Sequence, residues 1–284
     1  IIHSTTTSKI AISIESKVLK WVDKLTTDSK ISKEQYGKKL NLDFKYLPSP
    51  IETEMFKKIP EVKKSINQVV YVGRDSFEKG IDILKKGGNA IDAAIAVGFA
   101  LAVVHPGAGN IGGGGFMTIK MGDEIAFLDY REKAPLAAHK NMYLDTEGNV
   151  IDNITLIGAQ AVGVPGTVAG FREAHKKFGK LPWKDLINPA IKLARDGFMP
   201  APALVDNVHR LKGQFVGKTN FNAYFESMKV GRLFKQPELA KTLGRIAESG
   251  ADDFYRGETA ALIVKEMQAS NGLITAEDLE GYRA

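Results

Sequence analysis

The sequence predicts a mixed α/β (α+β) chain. Apolar residues recur at helical spacing through most of its C-terminal three quarters. Segment after segment opens on Pro or a capping residue and closes on Gly. Two apolar runs flank Met121-Gly122-Asp123, which is the signal of a β-hairpin. With 284 residues, 44% of them hydrophobic and 25% charged, the chain has the balance of an ordinary globular protein and is long enough for a sizeable core.

Residues 1–68 stand apart from the rest. They hold 13 Lys against 8 acidic residues, no Arg and a single Gly, so most of the formal charge of +6 belongs to them. The pattern over residues 14–25 suits a short amphipathic helix, and Leu47-Pro48-Ser49-Pro50 breaks the chain after it. Without Arg, and with few aromatic rings for stacking bases, this stretch reads as a solvated lysine-rich N-terminal extension rather than a nucleic-acid surface.

Residues 69–284 read as the folded part. Phe77, Ile81 and Leu84 mark a helix over 75–86 that Gly87-Gly88 closes. Asn89 is placed to cap the next helix, with Asp92 in its first turn, where the helix dipole favours an anion. Residues 90–104 are apolar on nearly every face, as in a helix surrounded by core, and Pro106 forbids continuation. The longest apolar run, 93–104, has twelve residues, whereas a membrane-spanning helix needs about 20. Strands are expected over 116–120 and 124–130. Further helices run from Pro165-Gly166-Thr167 to Gly179, from Pro182-Trp183 to Gly197, from 236 to Gly250, and from 257 to about Gly272. Thr275-Ala276-Glu277-Asp278 starts a last short helix with a capping box.

Composition excludes several chemistries. There is no Cys, hence no disulfide, no thiol nucleophile and no thiolate metal site. His3, His105, His139, His175 and His209 show no metal-ligand spacing, so no metal and no cofactor are expected. His105, before Pro106 at a helix end, reads as a cap or packing residue, and Trp183 reads as core. Gly107-x-Gly109-x-x-Gly112 matches a dinucleotide fingerprint literally, and Asp129 sits where a ribose-binding acid would. The required order is strand, glycines, helix; here a helix precedes and a strand follows, so a nucleotide-dependent oxidoreductase is not the reading. Backbone passing close to backbone accounts for the glycines, with access of a site to main chain as the sharper alternative.

The motifs resemble a known family. Lys86-Gly87-Gly88-Asn89-Ala90-Ile91-Asp92-Ala93-Ala94, Leu101-Ala102-Val103-Val104-His105-Pro106 and Gly109-Asn110-Ile111-Gly112-Gly113-Gly114-Gly115-Phe116-Met117 closely resemble the large subunit of γ-glutamyltranspeptidases, also called glutathione hydrolases. Asp129-Tyr130-Arg131-Glu132-Lys133-Ala134-Pro135, Gly163-Val164-Pro165-Gly166-Thr167-Val168-Ala169-Gly170-Phe171, Leu193-Ala194-Arg195-Asp196-Gly197-Phe198, Phe254-Tyr255-Arg256-Gly257 and Gly272-Leu273-Ile274-Thr275-x-x-Asp278-Leu279 continue it in the same order. The resemblance covers 69–284 and leaves 1–68 outside.

It implies an N-terminal-nucleophile hydrolase with a four-layer αββα sandwich, only partly contained in this chain. A precursor of that kind cuts itself into large and small subunits that stay together as a heterodimer. The new N-terminal Thr of the small subunit attacks, activated by its own amine. The γ-glutamyl group of glutathione or a related amide then passes through an acyl-enzyme to water or to an amino-acid or peptide amine. The cleavage site and that Thr are expected beyond Ala284. No catalytic residue is therefore expected in this chain, Thr5-Thr6-Thr7 are not the nucleophile, and this part alone is expected to be inactive and to expose apolar surface. The resemblance gives one substrate-binding residue, Arg131, for the α-carboxylate of the donor, with Asp129 and Glu132 either orienting it or forming an ordinary surface pair. A guanidinium grips a carboxylate with two parallel hydrogen bonds, which lysine cannot do. Bacterial members of the family suggest a periplasmic or secreted protein. The alternatives are a non-catalytic large-subunit homologue that binds γ-glutamyl ligands, and a cephalosporin-acylase-like amidase or poly-γ-glutamate depolymerase of the same fold.

Overall fold

The computed structural model describes residues 81–284 together with two short strands at 25–27 and 44–46. The chain divides into two compact units, 1–74 and 75–284. Of the first, β1 (Leu25–Thr27) pairs in parallel with β2 (Phe44–Tyr46), Leu25 opposite Phe44. The helix expected over 14–25, apart from Leu25, the break at Pro48, the Thr5–7 run and the helix start over 75–80 lie outside the described residues.

The second unit opens with α1 (Ile81–Lys85). Gly87, at φ +87°, turns the chain, and Gly88 N–H returns to Ile83 O at 3.0 Å. Asn89 then caps α2 (Ala90–Val104) as expected: its Oδ1 accepts from Ile91 and Asp92 N–H, and Asp92 Oδ2 accepts from Asn89 N–H at 2.9 Å. Ile95, Phe99, Ala100 and Val103 are fully buried, but Ala90 and Ala94 are exposed and Val97, Leu101 and Val104 half-buried along one stripe, so α2 packs on the core with most of its surface and is not surrounded by it as its all-round apolar sequence predicts. Gly98 is required there: a Cβ would lie 2.3 Å from the Phe171 ring. That ring and the Trp183 indole both meet Phe99 edge to face, at 5.3 and 5.6 Å.

β3 (Phe116–Met121) and β4 (Glu124–Asp129) form the expected antiparallel hairpin, with Met121 opposite Glu124 and Gly122 at φ +59° in the turn. Its inner face carries Met117, Ile119, Ala126 and Leu128 onto the core. Its outer face carries Phe116, Ile125 and Phe127, which are 53%, 70% and 62% exposed and lie opposite Asp129, Lys120 and Thr118. After a 3-10 turn at Ala159–Ala161, the rest is helical. The elements are α3 (Thr167–Phe178), α4 (Trp183–Asp196), α5 (Pro202–Phe215), α6 (Phe221–Phe225), α7 (Pro237–Ser249), α8 (Ala251–Arg256), α9 (Glu258–Ala269) and α10 (Ala276–Gly281). The glycine stops are where the sequence puts them, with Gly197 and Gly250 at φ +97° and +71°. α5, α6 and α8 were not anticipated. α5 and α6 enclose a second small core of Val205, Val208, Met228 and Phe234. The main core lies between α2, α3, α4 and α7 and the inner face of the hairpin. Among the described residues helices cover one face of the sheet and leave the other exposed, which is part of a layered αββα arrangement.

Candidate functional site

Arg131 stands two residues past the end of β4. Mutual backbone bonds between Gly115 and Tyr130 lengthen the hairpin ladder by one pair, at 3.0 and 3.3 Å. Tyr130 turns inward, edge to face with Phe171, into a slot that exists because residue 170 is glycine: a Cβ there would lie 2.2 Å from the Tyr130 ring. Successive residues of an extended chain point to opposite sides, so burying Tyr130 sends Arg131 outward, where it is exposed. Its backbone is tied at both peptide groups. The N–H donates to Asp129 Oδ1 at 3.0 Å, and the carbonyl accepts from the Tyr282 hydroxyl at 2.8 Å. The guanidinium lies over the Phe116 ring, 5.7 Å from its centre. Among the described residues no carboxylate pairs with it. Asp129 therefore holds the main chain of Arg131, and neither Asp129 nor Glu132 holds its side chain.

The glycine loop lies directly beneath. A Cβ at Gly114 would lie 2.5 Å from Tyr130 O and 2.8 Å from Arg131 Cα, and one at Gly109 would lie 2.3 Å from the Leu101 carbonyl. Backbone here does run against backbone, and at Gly114 that backbone is the arginine's own. Gly113 O accepts from the N–H groups of Gly166 and Thr167, at 2.7 and 3.0 Å. Asn110 Oδ1 accepts from Gly113 N–H and from the Thr167 hydroxyl, at 2.8 and 2.7 Å. The loop follows α2 and precedes β3, and the N–H groups of Gly166 and Thr167 at the start of α3 are already engaged by Gly113, so the fingerprint lacks the context that dinucleotide binding needs.

The far side of the platform comes from the end of the chain. Thr275 caps α10 with Asp278 in the expected box, but Asp278 also reaches out and accepts from Leu136 N–H at 2.6 Å. Burial alone would raise its pKa; the hydrogen bonds from Leu136 N–H and from the N–H and hydroxyl of Thr275 outweigh this and hold it below the ordinary carboxylate value. Tyr282 stacks on Tyr255 at 5.6 Å, nearly parallel, and the Tyr255 hydroxyl donates to Pro165 O at 2.9 Å. Burial raises the pKa of Tyr130, Tyr255 and Tyr282. For Tyr282 burial is joined by the nearby Asp129 and Glu132 carboxylates, and the value is pushed up to about 12. Sequence reasoning named Arg131 as a candidate and did not name Asn110, Tyr255, Tyr282 or the reach of Asp278. Their partners lie up to 151 residues away; Asn110, Tyr255 and Asp278 are signalled only by membership of the family motifs, and Tyr282 lies outside those motifs.

The other candidates have structural places. His105 N–H closes α2 on Leu101 O at 2.8 Å, and Trp183 is buried with its indole N–H on Ile246 O at 2.9 Å. Among the described residues no three His, Cys, Asp or Glu side chains gather as a metal site would require.

A half-covered hairpin backed by helices, with an arginine presented at the strand end, makes this chain part of an N-terminal-nucleophile hydrolase sandwich. Residues 77–284 match the model of the gamma-glutamyltranspeptidase family, and the chain belongs to that family. It is 58% identical over 201 residues to the glutathione hydrolase proenzyme of Pseudomonas aeruginosa, a match covering 71% of this chain and 36% of the relative. With the Escherichia coli glutathione hydrolase proenzyme it shares 46% identity over 230 residues, covering 78% of this chain and 40% of that one. Its structure resembles that of the gamma-glutamyltranspeptidase from Pseudomonas nitroreducens complexed with L-DON. There the TM-score is 0.74 and the identity 52%, over 77% of this chain and 66% of the other. The chain thus spans little more than a third of the length of the curated relatives it matches.

Proposed function

We propose that the complete protein is a γ-glutamyltransferase/glutathione hydrolase and that this chain is the N-terminal part of its large subunit. The observation that carries the reading is the family match over 77–284, which takes in an arginine whose guanidinium has no carboxylate partner among the described residues. In this reading Arg131 forks onto the α-carboxylate of the γ-glutamyl donor, glutathione or a related amide. A threonine of the small subunit, freed by self-cleavage of the precursor, attacks the γ-carbonyl; the amide C–N bond breaks and the amine leaves with a proton. Water or an amino-acid or peptide amine then takes the γ-glutamyl group from the threonine ester. The small subunit covers the outer face of β3–β4 and the exposed Phe116, Ile125 and Phe127 on it, giving a heterodimer with the sandwich completed. The protein works in the periplasm or outside the cell. The names of the relatives favour this donor class over a cephalosporin amide, and nothing in the structure favours a purely binding homologue.

The test is Arg131→Lys in the complete processed enzyme. Losing one arm of a charge-assisted bidentate contact is worth about 1.5–3 kcal/mol, so KM for glutathione should rise roughly 10- to 100-fold while kcat changes less. An unchanged KM overturns the assignment of Arg131. Absence of glutamate release from glutathione by the unaltered enzyme overturns the reading as a whole.

A further inference from the structure

We infer that Tyr282 is a positioning residue for donor recognition, its hydroxyl holding the Arg131 carbonyl so that the guanidinium stands where a carboxylate must arrive. The inference rests on the reading of Arg131 given above.

Four observations carry it. Among the described residues no carboxylate pairs with the Arg131 side chain, so its aim is set by its backbone and by the Phe116 ring beneath it. One of the two ties on that backbone is the 2.8 Å bond from Tyr282, which arrives from 151 residues further along the chain. The Tyr282 ring cannot wander. It is 5% exposed, stacked on Tyr255 and faced by Lys133 Nζ at 5.0 Å, and Lys133 is itself anchored on Arg283 O. Finally, the hydroxyl is packed tightly against main chain: a Cβ at residue 166, which is glycine, would come within 2.1 Å both of it and of Tyr130 O. A tyrosine serving only as filling would not need the hydroxyl bond to Arg131 O, since its ring alone would do. Its hydroxyl also stays protonated, and so remains a donor, across the range in which amino-acid carboxylates are ionised.

The distinguishing measurement is a ratio. In the complete processed enzyme, kcat/KM is taken for γ-glutamyl-p-nitroanilide and for the same compound with its α-carboxylate converted to the amide. Arg131→Ala should collapse the preference for the carboxylate; if it does not, the reading of Arg131 fails, independently of Tyr282. Tyr282→Phe should lower the preference about five- to tenfold, the worth of one hydrogen bond that aims a charged contact, through KM rather than kcat. A variant that is only less stable lowers both rates together and leaves the ratio alone, so an unchanged ratio in Tyr282→Phe, with Arg131→Ala collapsed, overturns the inference. Should Tyr282→Phe fail to fold or process, 4-fluorophenylalanine at 282 keeps the shape and removes only the donor. The same drop in ratio supports the role, and a wild-type ratio overturns it.

Discussion

Replacing Asp92 separates two accounts of one carboxylate. From its place in the first turn of α2, Asp92 would serve the helix dipole for about 0.3–1 kcal/mol and share a capping box worth about 1 kcal/mol. The structure assigns it more. It is 0% exposed, and besides Asn89 N–H its oxygens accept from Lys180 N–H at 3.0 Å and Leu181 N–H at 3.4 Å. Those two residues lie in the connection between α3 and α4, so the carboxylate fastens the start of the core helix to a loop nearly 90 residues away. Asp92→Ala leaves three half-buried N–H groups unpaired. At about 1–3 kcal/mol for each orphaned donor, less what water recovers, the loss should be about 3–5 kcal/mol. Asp92→Asn keeps the volume and one acceptor but turns an NH2 toward a backbone donor, for about half that loss. Both variants should therefore melt below wild type, and the Ala variant clearly below the Asn variant. Thermal and urea denaturation of the complete protein measure both. A loss below about 1.5 kcal/mol in Asp92→Ala, equal to that in Asp92→Asn, would show that the dipole and cap are all there is.

Two further outcomes follow from the platform under Arg131. Gly114→Ala drives a methyl group into Tyr130 O and Arg131 Cα, both main chain, so the arginine segment must move; donor KM should rise at least as far as in Tyr282→Phe, and a wild-type KM would place the arginine elsewhere. The Asp278 carboxyl titrates below its ordinary 3.8 when folded, so its contribution to stability is whole above that pH and is lost as pH falls through the folded value. The melting-temperature gap between wild type and Asp278→Asn should therefore be constant near neutrality and close on acidification, and a gap that widens in acid would contradict the hydrogen bonds to Leu136 and Thr275.

Local signals made much of the fold legible. The caps at Asn89 and Thr275, the glycine stops at 87, 179, 197 and 250, and the hairpin around Gly122 are each decided by residues within one turn, and each is where the pattern places it. α5 escaped notice because its sequence, PALVDNVHRLKGQF, offers only Val205 and Val208 as buried residues and no polar side chain bonded as an N-cap. α8 escaped because six residues between two glycines carry too little period to recognise. At the site, Arg131 was legible through its motif. Of the groups that hold its backbone, Asp129 is two residues away and was within reach of the sequence, whereas Tyr282 and the contacts that support the platform are long-range. Asn110 meets Thr167, Tyr255 meets Pro165, Asp278 meets Leu136 and Tyr282 meets Arg131 only once the chain is folded.

The bare face of the hairpin ties this geometry to the rest of the fold. On the side away from the helices β3–β4 alternates exposed apolar residues with Thr118, Lys120 and Asp129, and two of the apolar ones, Phe116 and Phe127, stack at 5.7 Å. A two-stranded sheet is marginal by itself, so this one draws its stability from the helical layer on one side and has the chemistry to take a second layer on the other. Arg131 sits at the rim of that outer face, its guanidinium over one of those same rings. A layer docking on Phe116 would therefore dry the surroundings of the arginine as it covers the sheet, and a guanidinium grips a carboxylate far more strongly in a dry site than in open water. In the proposed enzyme, closing the sandwich and arming the arginine are then one event, with Tyr282, Asp129 and Gly114 fixing beforehand where the charge will stand.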